Sequence, residues 1–332
     1  MRKKKYMILM TIIAILSIIA YLTFWMITTD YDLFPSDQVK ALQMRQAILN
    51  IIERRSYQVV AMMVAAILIA TTTLVFQTLT NNRILTPSLI GFDAIFVTSQ
   101  TAIVFFLSEQ SLFYMNPYMN FLVTSSLMLV ISLFMYRIIL RKNKNNIIFL
   151  LLFGMILSTL SRNFANFLQT IMDPNQFQSI AMQTEVTISN MNTSIIVLVV
   201  PMMLIVLGFM IRDFKYLDVM SLGESQAIGL GIDYQKKLNT SLIYIAIAMS
   251  ISTALIGPIS FLGLIAVNAA REILKTYKHL SLMMMSSLIA MIAIILGQTI
   301  IIETGYVTTV TVLISMFGGL YMIYLVLKEN KK

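Results

Sequence analysis

The sequence contains no cysteine, which excludes a disulfide framework, a thiolate metal site and thiol catalysis. It has a single histidine, His279, so the histidine clusters that hold zinc or move protons in hydrolytic sites are excluded as well. Charged residues make up 12% of the chain, about half of what a soluble globular chain carries. No glycine-rich loop ends in lysine-serine or lysine-threonine, so the chain lacks a Walker-type phosphate cradle. These absences leave little room for an integral-membrane enzyme. Any work driven by ATP must take its energy from a partner.

What the chain has in abundance is apolar sequence, at 58% of 332 residues. The apolar residues come in runs of about 20, the length a helix needs to cross about 30 Å of hydrocarbon. Charges fall in short clusters between the runs. Ten spans are predicted: 6–28, 57–79, 89–108, 118–140, 147–170, 193–211, 239–256, 259–274, 280–302 and 306–327. The eighth follows Gly257-Pro258, where a helix breaks or restarts. The alternation of an outer-membrane barrel is absent, and helices satisfy their own backbone polar groups in lipid. The expected fold is therefore all-α and polytopic, a single transmembrane domain over 1–332. The N-terminus, Arg2-Lys3-Lys4-Lys5 before a long apolar stretch, resembles a signal peptide, but the stretch is too long and no small-residue cleavage site follows. It is taken as a retained first span.

Lysine and arginine placement sets the expected topology. With the N-terminus inside and the spans alternating, all of the 24 basic residues except Lys40, Arg45, Arg54, Arg55 and Arg162 fall on inner segments or span ends. Both termini are then cytoplasmic, and the positive-inside rule accounts for the net charge of +9 without nucleic acid. Two loops are long. The outer segment 29–56 is polar. The inner loop 212–238 contains Ser221, a good N-cap, and Glu224 three residues on, a capping-box pattern. Gly229 and Gly231 are plausible stops. A helix of about two turns outside the membrane is predicted here, either a docking element or a solvated connector.

At this loop a resemblance appears. Leu222-Gly223-Glu224, followed by Ala227-Ile228-Gly229-Leu230-Gly231-Ile232, resembles the coupling-helix segment of the FecCD-like permeases, which import iron siderophores, haem and vitamin B12. Gln77-Thr78-Leu79-Thr80-Asn81-Asn82 with Pro87 and Ile90-Gly91 is similar to the block after the family's second span. Gly257 through Ile265, then Arg271, resembles the block that opens its eighth span, and Gly318-Gly319 through Tyr324-Leu325 its last. The order matches, and the blocks reach from Gln77 to Leu325. The sequence departs from the family pattern at Val267-Asn268, where proline-histidine is common. It departs again at Arg83, where a proline is common, and at Gln58, which replaces a second arginine after Arg55. With 82–87 and 172–177, these departures look like the subgroup for catecholate siderophores.

The resemblance implies a vitamin B12 permease-like fold working as a dimer of this chain or with a related one. It implies a cytoplasmic ATPase pair that uses the ATP and an external siderophore-binding protein. The substrate it implies is a ferric siderophore, with haem or cobalamin as alternatives. On this basis Leu222, Gly223, Glu224, Ala227 and Gly229 are the expected ATPase contacts, and Arg55 with Arg54 the expected contacts for acidic residues on the binding protein. An ordinary interfacial arginine remains the alternative for Arg55.

Inside the spans, ionisable groups are costly and face protein or water. Arg162 in the fifth span either lines a path for an anionic chelate or pairs with a buried acid. Gln77 is a further path candidate or an interhelical hydrogen bonder. Asp93 lies near the inner end of the third span and Glu303 at an outer edge. A secondary transporter driven by an ion gradient would show midplane acids on broken helices, for which Asp93 is the only candidate. The 26 methionines form no repeated cluster on one helix face and are read as flexible filler rather than copper ligands. No metal or cofactor is expected. Because the chain is free of cysteine, Ser225→Cys introduces a unique thiol. It should react with a membrane-impermeant maleimide in inside-out vesicles and not in intact cells.

Overall fold

A computed structural model describes residues 2–24, 38–142, 147–184, 188, 193–305 and 308–329. It is entirely helical among them. The helices are α1 (Arg2–Thr23), α2 (Gln38–Leu79), α3 (Phe92–Leu107), α4 (Leu112–Met115), α5 (Pro117–Lys142), α6 (Ile147–Thr170), α7 (Pro174–Thr184), α8 (Ile196–Met220), α9 (Glu224–Gly229), α10 (Tyr234–Ile256), α11 (Leu262–Leu274), α12 (His279–Glu303) and α13 (Val310–Glu329).

The helix with the smallest side chains takes the centre. Ala61, Ala65, Ala66, Ala70 and Thr71-Thr72-Thr73 of α2 are all buried, and small residues let neighbouring backbones come close where lipid gives no hydrophobic drive to pack. The apolar stretch of α2 is 83% buried, against 17% for α1 and for α6. Helices α8, α10, α11 and α12 surround α2, while α6 lies on α3 and α1 on α12. Thr72 returns its hydroxyl to the helix, donating to the Leu68 carbonyl at 2.7 Å. Between α3 and α5 the amides of Gln100 and Asn120 bond each other at 2.9 and 3.2 Å, and Gln100 also reaches the Thr124 hydroxyl at 3.0 Å.

Among the described residues, seven helices are long and apolar enough to cross a membrane, rather than the ten spans anticipated. The difference has a physical cause. Helix α3 has 16 residues and α11 only 13, because each is preceded by irregular backbone drawn from an apolar run. Before α3, a 3-10 turn at Pro87–Ile90 ends on Gly91 with φ +105°. Before α11, Gly257 and Phe261 both take positive φ. These breaks are packed inside protein, the one place where non-helical backbone is tolerated at membrane depth. A Cβ on Gly154 of α6 would lie 2.8 Å from the Ile90 Cα, and Gly318 of α13 lies directly against Phe261. The breaks meet where the Ser260 hydroxyl donates to Asp93 Oδ2 at 2.8 Å.

Other boundaries also moved. Helix α2 begins at Gln38 and runs 42 residues, about 63 Å, so the anticipated outer loop is helix from Gln38 to its end at 56. The 29–37 portion lies outside the described residues. Helix α8 continues to Met220, nine residues past the expected end. A short helix, α7, starts with Pro174 in its first turn, where a missing N–H costs nothing.

The Gly154 contact gives a direct test. Gly154→Ala should destabilise the detergent-solubilised protein by about 1–3 kcal/mol, because the clash is with backbone. Gly208→Ala in α8, where the added methyl meets nothing within 4 Å, should leave the melting temperature unchanged or slightly raised.

Candidate coupling helix and translocation face

The chain reverses between α8 and α10 at the end of the molecule rich in lysine and arginine. Gly223 makes the reversal possible, with φ +105° and ψ 161°, a region open to glycine and strained for other residues. Its carbonyl accepts from Ala227 N–H at 3.0 Å to start α9, and Ile232 N–H bonds the Ala227 carbonyl at 3.0 Å to close it. The anticipated capping box does not form. The Ser221 hydroxyl donates to the Asp218 carbonyl at 2.7 Å, and Gly223 stands at the N-cap. Glu224 instead accepts from the Gln235 side chain at 3.1 Å. The helix is six residues long, shorter than the expected two turns.

Its faces divide sharply. Ala227 is fully buried against the protein's own core, which corrects its assignment as an outward contact. Leu222, Ile228 and Leu230 are 54%, 54% and 65% exposed, and Glu224 and Gly229 are exposed beside them. The base of the reversal is stapled. Lys237 at the start of α10 donates to the buried Asp213 of α8 at 2.9 Å while its ammonium lies 3.8 Å from the centre of the Tyr216 ring. Asp233 caps α10 by accepting from Lys236 N–H. An apolar patch on a rigid knob outside the membrane suits a protein partner.

His279, one residue before the span predicted at 280–302, is buried in the first turn of α12. Asp218 Oδ1 accepts both its backbone N–H at 2.8 Å and its Nδ1–H at 2.6 Å, while Nε2 lies 2.8 Å from the Thr78 hydroxyl of α2. A carboxylate only accepts, so Nδ1 carries a proton. The last turn of α8, one step from α9, is thereby tied to α12 and α2 together. Next to it the Arg83 carbonyl accepts from Gln77 at 2.7 Å and from Asn268 at 2.9 Å. Gln77 is a buried brace of the turn that follows it, with its side-chain nitrogen spent on that turn. Asn268, where the family pattern has histidine, supplies the second brace.

Arg162 is exposed on the outward face of α6, and among the described residues no ion pair forms between it and a buried acid. Asp93 is the acid on which its charge acts. Arg162 has company that single-residue inspection missed. Thr159, Asn163, Asn166 and Thr170 are exposed on the same stripe, and their spacing of three and four was the available signal. The exposed apolar residues Ile156, Leu160 and Phe167 lie roughly 100° around the helix. One flank of α6 suits lipid and the next suits water.

At the opposite end, Arg55 Nη1 donates to the Tyr21 carbonyl in the last turns of α1 at 2.6 Å, and its guanidinium sits 5.2 Å from the Tyr21 ring centre. Arg55 is thus a half-buried tie between α1 and α2, joined by Tyr21 donating to Gln58 at 2.7 Å. Arg54 is exposed. Among the described residues no group of three histidine, aspartate or glutamate side chains is arranged for a metal.

Known proteins resemble this chain in sequence and in fold. The chain is 43% identical over 279 residues to the petrobactin import system permease protein YclO of Bacillus subtilis, covering 84% of this chain and 89% of that one. It is 31% identical over 281 residues to the petrobactin import system permease protein FatC of Bacillus anthracis, covering 84% and 79%. Its fold superposes with a TM-score of 0.79 on a solved inward-facing structure of a metal-chelate type ABC transporter, over 98% of this chain and 99% of that one, at 19% identity. Residues 8–328 match the FecCD transport family, and the chain belongs to that family.

Proposed function

We propose that this chain is the membrane-spanning permease subunit of an ATP-driven importer of ferric siderophores, with substrates of the petrobactin kind. The observation that carries it is the knob at α9. Leu222, Ile228 and Leu230 are exposed outside the membrane on a segment braced by Asp213–Lys237 and Asp218–His279, which suits a motor protein that pushes on it. Hydrolysis belongs to that partner.

In this assembly the basic end and both termini face the cytoplasm, and two permease domains, identical or related, pair around a common path. The shorter helices α3, α11 and α13 join the seven longer ones to give ten crossings, with residues 1–332 forming one domain. The α6 stripe of Thr159, Arg162, Asn163, Asn166 and Thr170 lines the path, where Arg162 favours an anionic chelate. An external binding protein delivers the substrate, with exposed Arg54 better disposed than Arg55 for its acidic residues. The petrobactin relatives favour a siderophore over haem or cobalamin. The buried Asp93 at the meeting of two helix breaks is the feature that suits an ion-coupled transporter instead.

Deletion of the gene should abolish uptake of labelled ferric catecholates, with hydroxamates less affected. Gly223→Trp should reduce uptake at least tenfold while the protein still reaches the membrane at normal levels. Substrate-stimulated ATP turnover at the wild-type rate in that variant counts against α9 as the coupling element. Arg162→Glu should lower uptake of an anionic ferric chelate about tenfold or more without changing basal ATP turnover. Asp93→Asn should keep ATP-driven uptake within a few-fold of wild type. Its loss, together with sensitivity to a protonophore, identifies ion coupling.

A further inference from the structure

A cavity of about 670 Å³ opens at the basic end between the turn after α2, the end of α11 and the start of α12, and it is lined by Arg83, Arg271 and Lys275. Arg271 is half-buried, and its Nε is shut off from solvent without a hydrogen-bond partner. Among the described residues no carboxylate lies within ion-pair distance of any of the three cations. Arg83 adds like-charge repulsion to Arg271 rather than relief. Lys275 takes left-handed backbone with φ +46°, so the local conformation is strained at a residue that adds a further positive charge. A buried guanidinium beside a second one, with no acid to balance them, is costly unless an anion completes the group.

We propose that this cavity is an oxyanion site that takes a phosphate group, with Arg271 at its base and Arg83 and Lys275 closing over it. The fork of a guanidinium fits tetrahedral oxygens in bidentate fashion, and the lysine adds a point charge. Glu272 is the acidic residue in the lining, and His279, which also lines it, is occupied by Asp218 and Thr78. Three cations against one carboxylate leave two positive charges. A phosphate dianion balances them, and a single acidic side chain from a docking protein does not. Ser221 lines the same cavity, one residue before Leu222, so an occupied site joins the stem of α9 to α2 and α11. The site stands whether or not the transport assignment holds, because it rests on the charges of this chain alone.

The test uses the full chain purified in an uncharged detergent, with its melting temperature followed as inorganic phosphate is titrated at ionic strength matched with chloride. A saturable rise on the order of 2–4 °C is expected. Arg271→Gln should abolish it and Lys275→Gln should weaken it, while Lys278→Gln, outside the cavity, should leave it intact. If Arg271→Gln does not fold, Lys275→Gln carries the comparison. In nanodiscs, a rise with phosphatidylglycerol that free phosphate competes away identifies a lipid headgroup as the natural source and supports the site. Phosphate and phosphatidylglycerol acting no better than chloride, or a rise equal in all variants, overturns it. Reduced retention of the ATPase by Arg271→Gln in that case assigns the cations to an acidic protein partner.

Discussion

Hydrocarbon does not solvate a peptide group, and the architecture follows from where this chain breaks that rule. At Pro87–Gly91 and at Gly257–Phe261 the backbone leaves the helix within apolar sequence. Each exposed polar group there costs several kcal/mol unless protein surrounds it. The two breaks are accordingly wrapped by α6 at Gly154 and by α13 at Gly318, and they are joined to each other by Ser260 and Asp93. Central placement of α2, with its alanines and threonines, provides the close packing that this wrapping needs. The result is a core that holds irregular backbone in place and leaves α6 on the outside with a polar flank.

The connection from α9 to that core is short. Asp213 and Lys237 hold α8 and α10 together at the base of the reversal, and Asp218 engages His279, which in turn touches Thr78 on α2. A displacement of α9 is thereby carried to α2, α10 and α12, with α10 and α12 each packed on α2. In the proposed assembly, this is the route by which a push at the knob would reach the helices around the path. The ties at Asp213 and Asp218 are hydrogen bonds to carboxylates, stronger than neutral ones, and Asp213 and His279 are nearly closed to solvent, so local loosening at the base is resisted.

Much of this was legible in the sequence, for identifiable reasons. Apolar runs and the split of basic residues reveal a polytopic helical chain, because lipid thickness and charge asymmetry act on composition. Hydropathy overcounted the long helices because it does not distinguish a buried turn such as Gly257–Phe261 from helix. The segment 221–230 was recognisable as a short helix, yet Ser221 lost its capping role to the nearby Asp218 carbonyl, and Gly223 took the position because only its backbone fits. His279 looked like a loop residue because its partners lie 61 and 201 positions away, a separation that no local pattern encodes. The stripe around Arg162 was written in the spacing of Thr159, Asn163, Asn166 and Thr170 and becomes evident once exposure is known.

The most direct test of the account is transport by the reconstituted complex of this chain, its ATPase and its binding protein in proteoliposomes with all ion gradients collapsed by ionophores. With ATPase and ATP enclosed in the lumen and the binding protein and substrate outside, the account requires ferric siderophore to accumulate in the lumen at a rate that tracks hydrolysis. Accumulation that needs an imposed ion gradient and proceeds without the ATPase would contradict it.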